Sequence, residues 1–134
     1  MSKTIIGIVF LLNGAMIVNA QTAKPGQMEN GKKVYTKNCL ACHMADGNGV
    51  PGLNPPLGKT DWVTGDKKRL INIILKGLND PIVVNGDEYA NPMPPQDFLS
   101  DQEIADVLTY IRASFGNKAS AVSPADVKHL RPKK

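Results

Sequence analysis

Cys39-Leu40-Ala41-Cys42-His43 sets two thiols three positions apart, with an imidazole immediately after the second. Thiols at that separation can add to the two vinyl groups of one haem. The histidine is then held under the ring, where a ring nitrogen reaches iron. Five residues thus fix ring, orientation and one axial ligand together. Other uses of a Cys-x-x-Cys pair fit this chain less well. A structural zinc site takes four ligands, usually from two pairs, whereas the chain holds two cysteines and one further histidine, His129, near its end. A thioredoxin-type pair follows a strand in a βαβ pattern, and this pair ends a helical stretch. A disulfide is compatible with export, but closing so small a loop would constrain the chain little.

A second axial ligand has to come from a distant segment that crosses the ring. Met28, Met44 and Met93 are the thioethers beyond residue 20. Met44 adjoins His43 and is tethered to the same face, and Met28 opens a helix, where a packing role is expected. Met93 lies 50 residues beyond His43 (93 − 43), in Asn91-Pro92-Met93-Pro94-Pro95. A methionine alone is ordinary flexible filler, but prolines on both sides stiffen this backbone and suit it to ligation. The expected site is therefore one covalent haem c bound through Cys39, Cys42, His43 and Met93, with His43 and Met93 on the metal. No residue is assigned a catalytic role.

The elements that must position these groups are mostly helical. Residues 27–38 suit a helix with Gly31, Val34, Tyr35 and Asn38 on one face, leading directly into Cys39. A turn-rich loop follows through Asp46-Gly47-Asn48-Gly49 and Pro51 to Pro56. Leu70, Ile73, Ile74, Gly77 and Leu78 make one apolar stripe of a second helix from Asp66 to Lys76, with Gly77 at its end. Asn85-Gly86 between extended arms predicts a two-stranded ribbon over 82–89. Ser100 and Glu103 form a capping box for a helix whose apolar face is Ile104, Val107, Leu108, Ile111 and Phe115, stopped by Gly116. Ser123-Pro124-Ala125-Asp126 can open a short terminal helix.

Residues 1–20 differ from the rest. Lys3 gives a positive start, Ile5 to Val18 is almost wholly apolar, and Val18-Asn19-Ala20 offers the small residues a signal peptidase reads. Fourteen residues span roughly 21 Å as a helix, short of the ~30 Å hydrocarbon core, so cleavage before Gln21 is expected rather than anchorage. No later segment is apolar enough to cross a membrane. Of 16 basic residues one, Lys3, lies in the leader, so 15 face 12 acids beyond it, a net +3. That mild excess, without an arginine-rich stripe, gives no ground for a nucleic-acid partner. The aromatics beyond the leader are Phe98, Phe115, Trp62, Tyr35, Tyr89 and Tyr110, a thin stock that leaves the core underfilled without a cofactor. Lys118, Lys128, Arg131, Lys133 and Lys134 against Asp126 make 118–134 a basic tail. It has the charge to dock a partner or anionic lipid, though the excess is modest. Lys32, Lys33 and Lys37 beside the thiols read first as a solvated helix face, and second as a surface that steers an acidic partner.

From about Gln27 to Asn117 the chain resembles class I monohaem cytochromes c. The likeness rests on Cys39-Leu40-Ala41-Cys42-His43, the Gly31/Tyr35 helix, Met93-Pro94-Pro95 and the Leu108-Thr109-Tyr110-Ile111-Arg112 helix. Val84-Asn85-Gly86, Tyr89, Tyr110-Ile111-Arg112 and Gly116-Asn117 are similar to a bacterial subgroup. That subgroup occurs as free periplasmic carriers and as cytochrome domains joined to oxidoreductases such as copper nitrite reductases. The resemblance implies a mostly α cytochrome c fold: first and last helices crossing at Gly31, one central helix, a small two-stranded ribbon, and long Pro/Gly loops around a haem. It implies Tyr35 packing near Val107 and Tyr110. It also implies a proline carbonyl accepting from the free nitrogen of His43, for which Pro55 fits better than Pro56, although Asn54 and Pro56 depart from the family's usual Gly-Pro-Asn-Leu. Trp62 is expected either to reach a haem propionate or to anchor its loop. Tyr89 and Asn91 are expected either to donate toward Met93 or to finish the hairpin.

A signal peptide over 1–20, a cytochrome c domain over 24–117 and a basic tail over 118–134 follow. With both axial positions closed, substrate has no place on the metal, and the expected function is a one-electron carrier in the periplasm, not an enzyme. Its partners are then redox proteins, with the chain a monomer or a subunit of a redox complex. The alternatives are a haem subunit of a larger dehydrogenase or reductase, and a gas- or peroxide-binding haem protein should Met93 be labile.

Overall fold

A computed structural model describes residues 22–133. The leader expected over residues 1–20 lies outside the described residues. Six helices and a ribbon follow in the order α1 (Gln27–Asn38), α2 (Leu40–His43), α3 (Asp61–Thr64), α4 (Lys67–Lys76), β1 (Ile82–Val84), β2 (Asp87–Tyr89), α5 (Asp101–Ala113) and α6 (Pro124–Leu130). The expected helices and ribbon are all present. The central helix is joined by a one-turn companion, α3, that periodicity cannot reveal in four residues. Thr60 starts α3 by accepting from the Val63 amide.

The frame is the crossing of α1 over α5. It occurs at Gly31, where the Cβ of any other residue would fall on the Asp106 carbonyl oxygen and 2.7 Å from the Tyr110 Cβ. Glycine therefore lets two backbones touch, at the helix-propensity cost of about 1 kcal/mol. Below the crossing Tyr110 and Phe115 pack edge to face and Tyr35 lies tilted against both, with ring centroids 5.4 to 5.8 Å apart. Phe98, by contrast, is 68% exposed and adds nothing to the core. Met28, expected to pack, is also exposed, because α1 buries only Gln27, Gly31 and Tyr35.

Helix α5 is enclosed on nearly every side, burying Ile104, Ala105, Val107, Leu108 and Ile111 together with Asp106, Thr109 and Arg112. The capping box forms: the Glu103 amide donates to Ser100 Oγ (3.2 Å), and the Ser100 amide donates to the Glu103 carboxylate (2.8 Å). Helix α4 is buried on two faces, since Ile71 and Leu75 join Leu70 and Ile74 in the core. The ribbon pairs Ile82 with Tyr89 and Val84 with Asp87. Its Asn85-Gly86 turn takes φ of 53° and 94°, as a primed turn requires.

The basic segment after Asn117 folds back along α5. Val122 and Thr109 exchange bonds, the Val122 amide donating to the threonine hydroxyl (3.0 Å) and the hydroxyl to the Val122 carbonyl (3.2 Å). Gln27 of α1 donates to that same carbonyl. Arg131 ties α6 to Asp101 (2.6 Å) and to the carbonyls of Asp97 and Leu99. Val122 and Val127 are thereby buried.

Candidate functional site

Helix α1 ends at Asn38, Cys39 caps it, and one further turn, α2, carries Cys42 and His43, so the motif is wound as helix rather than loop. The turn is closed by the amides of Cys42 and His43 donating to the Cys39 carbonyl. Helical winding places residues three apart on one side, which brings the two thiols and the imidazole to the same cleft. The two cysteines are not joined to each other by a disulfide. Burial, with Cys42 as a lesser cause, pushes the Cys39 thiol up to about 11.

The cleft encloses about 1000 Å³ of space, its open mouth included. Two stretches of chain supply it. The first brings Cys39, Cys42, His43 and residues 54–57; the second brings α4, the ribbon and residues 91–94, with Leu108 and Ile111 of α5 between them. Ile73 and Leu78, partly exposed in the stripe read from sequence, line this cleft. Its surface is largely hydrocarbon, with Asp80 the one charged side chain among the lining residues.

His43 is positioned through its own ring. Its Nδ1 lies 3.0 Å from the Pro55 carbonyl oxygen. A carbonyl can only accept, so Nδ1 carries the proton and Nε2 keeps its lone pair. Burial holds the His43 pKa below its ordinary value, opposed by the Pro55 bond. The imidazole is thus neutral at pH 7, the form that binds a metal. Pro55 is the proline favoured by the resemblance. Beside it, the Tyr35 hydroxyl donates to the Met44 carbonyl (2.6 Å), fixing the turn just after His43, where Met44 takes a φ of 62°. Burial pushes the Tyr35 phenol up, so it stays a donor.

Met93 lines the same cleft. Its backbone exchanges both hydrogen bonds with Leu78, at 2.8 and 2.9 Å. Sequence reading missed that partnership because nothing in Leu78 announces it. The Trp62 indole donates its one proton to the Val83 carbonyl (3.0 Å), so it anchors the α3 loop to the ribbon. Asn91 donates to Asn54 Oδ1 (3.3 Å) and its amide to the Leu53 carbonyl (3.3 Å), linking the loop after His43 to the loop before Met93. Tyr89 is buried and lines the cleft. His129 is exposed and remote from these groups.

Two further residues brace the site. Arg112, 2% exposed, donates to the carbonyls of Val63 (2.6 Å), Gly65 (3.1 Å) and Ser120 (2.8 Å), joining α5 to the α3 turn and to the C-terminal segment. Asn117 donates to the carbonyls of Leu57 and Ile111 (both 2.9 Å) and accepts from the Lys59 amide (2.7 Å). Their backbone partners lie up to 60 residues away, which leaves no local sequence signal beyond an arginine and an asparagine at a helix end.

An apolar cleft, paired thiols, and a neutral histidine with a free nitrogen suit a tethered flat macrocycle with iron at its centre. They define a haem-binding electron-transfer domain. The chain belongs to the cytochrome c family, whose model matches residues 28–114. It is similar to cytochrome c-552 of Thermus thermophilus, 34% identical over 100% of this chain and 89% of the relative. It is also similar to the alcohol dehydrogenase (quinone) cytochrome c subunit of Gluconobacter oxydans, 41% identical over 81% of this chain but 23% of that protein. The gluconate 2-dehydrogenase cytochrome c subunit of Pantoea cypripedii is 38% identical over 81% of this chain and 25% of its own length. The chain spans about a quarter or less of the dehydrogenase subunits it matches. As a member of this family it is an electron-transfer protein with a covalently bound haem c. Among the described residues no helix is long and apolar enough to cross a membrane.

Proposed function

We propose that the protein is a periplasmic one-electron carrier. Its haem is joined by thioethers to Cys39 and Cys42 and coordinated by His43 Nε2 and the Met93 sulfur. Bound haem supplies the Fe(III)/Fe(II) couple. The Pro55 carbonyl fixes the plane of the His43 ring and makes it a stronger donor. The Met93 thioether favours the ferrous state, and the apolar cleft does the same by disfavouring added positive charge. Held by His43 and Met93, the haem would exchange electrons while these two side chains keep substrates off the metal. The observation that carries this reading is the convergence of both thiols, the proton-committed imidazole and Met93 on one cleft.

Residues 1–20 would serve as a cleaved leader, leaving 24–117 as the haem domain and 118–134 as a basic segment. The match to cytochrome c-552 over 89% of its length supports a free carrier; the dehydrogenase subunits support a role as one haem module of a larger complex. Redox titration of the matured protein, with absorption spectra, tests the proposal. Met93→Ala is expected to lose the far-red methionine-to-iron band of the ferric form and to lower the potential, with haem still attached. An unchanged band and potential would contradict Met93 as ligand.

A further inference from the structure

Pro92, Pro94 and Pro95 have no amide proton, so from 92 to 96 the chain can be held by only two backbone donors, the amides of Met93 and Gln96. Both are spent on the end of α4. Met93 donates to the Leu78 carbonyl (2.8 Å) and Gln96 to the Ile74 carbonyl (2.7 Å), while the Leu78 amide donates back to the Met93 carbonyl (2.9 Å). Between Ile74 and Leu78 stands Gly77, with φ 73° and ψ −173°. Positive φ with ψ near 180° is a region that essentially glycine alone occupies. The exit from α4 is therefore not a left-handed cap but an extended kink that turns Leu78 back toward the loop. Space is equally restrictive. A Cβ at 77 would stand 2.5 Å from the Met93 carbonyl oxygen, 2.9 Å from the Pro95 nitrogen and 3.1 Å from Pro95 Cδ. Two of these are backbone atoms and the third belongs to a rigid ring, so nothing flexible can swing aside.

We infer that Gly77 is a positioning residue for the axial methionine: the side-chain-free kink at the end of α4 seats the Met93 backbone at the depth from which its sulfur reaches the iron. The inference rests on Met93 being the ligand, as proposed above. A side chain at 77 pushes on the Met93 carbonyl and the Pro95 ring together, and the loop moves away from α4 as one stiff piece. The loss then falls on the thioether bond before it falls on the fold, because the thiol tethers and His43 belong to another part of the chain.

The test uses matured holoprotein of wild type, Gly77→Ala and Gly26→Ala. Gly26 also has positive φ (81°) but meets nothing within 4 Å, so it reports backbone strain alone. Gly77→Ala is expected to weaken or abolish the far-red band and to bind added imidazole roughly tenfold or more tightly than wild type, the ratio that a strain of this class supplies. Gly26→Ala should lower the melting temperature while leaving band and imidazole affinity as in wild type. An intact band and unchanged imidazole affinity in Gly77→Ala would overturn the inference, even if the variant melts earlier. A wild type without the band would overturn the ligand assignment itself, and this inference with it. If Gly77→Ala does not mature, wild-type amide exchange decides. Met93 and Gln96 amides should be protected and should open together with loss of the band in mild denaturant; free exchange of either while the band persists would refute the clamp.

Discussion

Replacing Gly31 by alanine sets two well-understood effects against each other, and the structure predicts which wins. In an exposed helix the change stabilises by about 1 kcal/mol through helix propensity. Here the new methyl would overlap the Asp106 carbonyl oxygen and lie 2.7 Å from the Tyr110 Cβ. Overpacking of a close contact costs about 1–3 kcal/mol. The upper end applies, because the obstacles are a helix backbone and a Cβ that no rotamer change can move. The net is a loss of about 2 kcal/mol, and at about 4 °C per kcal/mol for a domain of this size the melting temperature should fall by roughly 8 °C. Thermal unfolding of the ferric holoprotein, followed by far-ultraviolet circular dichroism, measures it. An unchanged or raised melting temperature would show that α1 and α5 do not touch at Gly31. The consequence reaches the site, since α1 delivers Cys39 and its Tyr35 holds the turn after His43, while α5 supplies Leu108 and Ile111 to the cleft.

Other changes have equally definite outcomes. Replacing both Cys39 and Cys42 by alanine should leave haem extractable into acidified organic solvent, whereas either single change should keep it on the polypeptide; retention in the double variant would contradict tethering there. Arg112→Met strands the carbonyls of Val63, Gly65 and Ser120. It should cost roughly 2–4 kcal/mol at one to three per unpaired group, partly offset by removing a buried charge. A guanidinium chloride midpoint equal to wild type would refute that brace. Ser100→Ala should cost about 1 kcal/mol through loss of the α5 cap. The bonds from Ser100 hold the Glu103 carboxyl below the usual carboxylate range. The cap's contribution from Glu103 is therefore complete above the unfolded-state value and disappears as pH falls through the lower folded value. The stability gap between wild type and Glu103→Gln should narrow over that acid window, and a gap constant with pH would rule the linkage out.

The parts of the molecule that follow from local chemistry were legible in the sequence. Cys39 to His43 announce haem attachment, Ser100 and Glu103 announce the start of α5, and Asn85-Gly86 announces the ribbon turn, because in each case the interacting groups lie within a few residues. The Pro55 acceptor and the Gly31 crossing came through resemblance to a family, and the geometry agrees with both. What stayed hidden is whatever depends on distant backbone. Arg112 and Asn117 bind carbonyls some 50 to 60 residues away. Tyr35 was expected as packing alone, and its hydroxyl bond to Met44 needs the turn after His43 to exist first. Helix α4 read as a single stripe because a period shows one face, while Ile71 and Leu75 pack on a second. Phe98 shows the opposite error, an aromatic counted toward a core that it does not join. The basic residues after Asn117 read as a charged tail, yet Ala121, Val122 and Val127 are buried, with Thr109 and Gln27 satisfying the Val122 backbone.

Proton NMR of the ferrous, diamagnetic protein probes the closed axial geometry most directly. A methionine methyl seated over the porphyrin is shifted far upfield by the ring current. One three-proton resonance should lie well outside the usual aliphatic envelope and vanish in Met93→Ala. Absence of such a resonance in wild type, or its survival in the variant, would contradict an iron held between His43 and Met93.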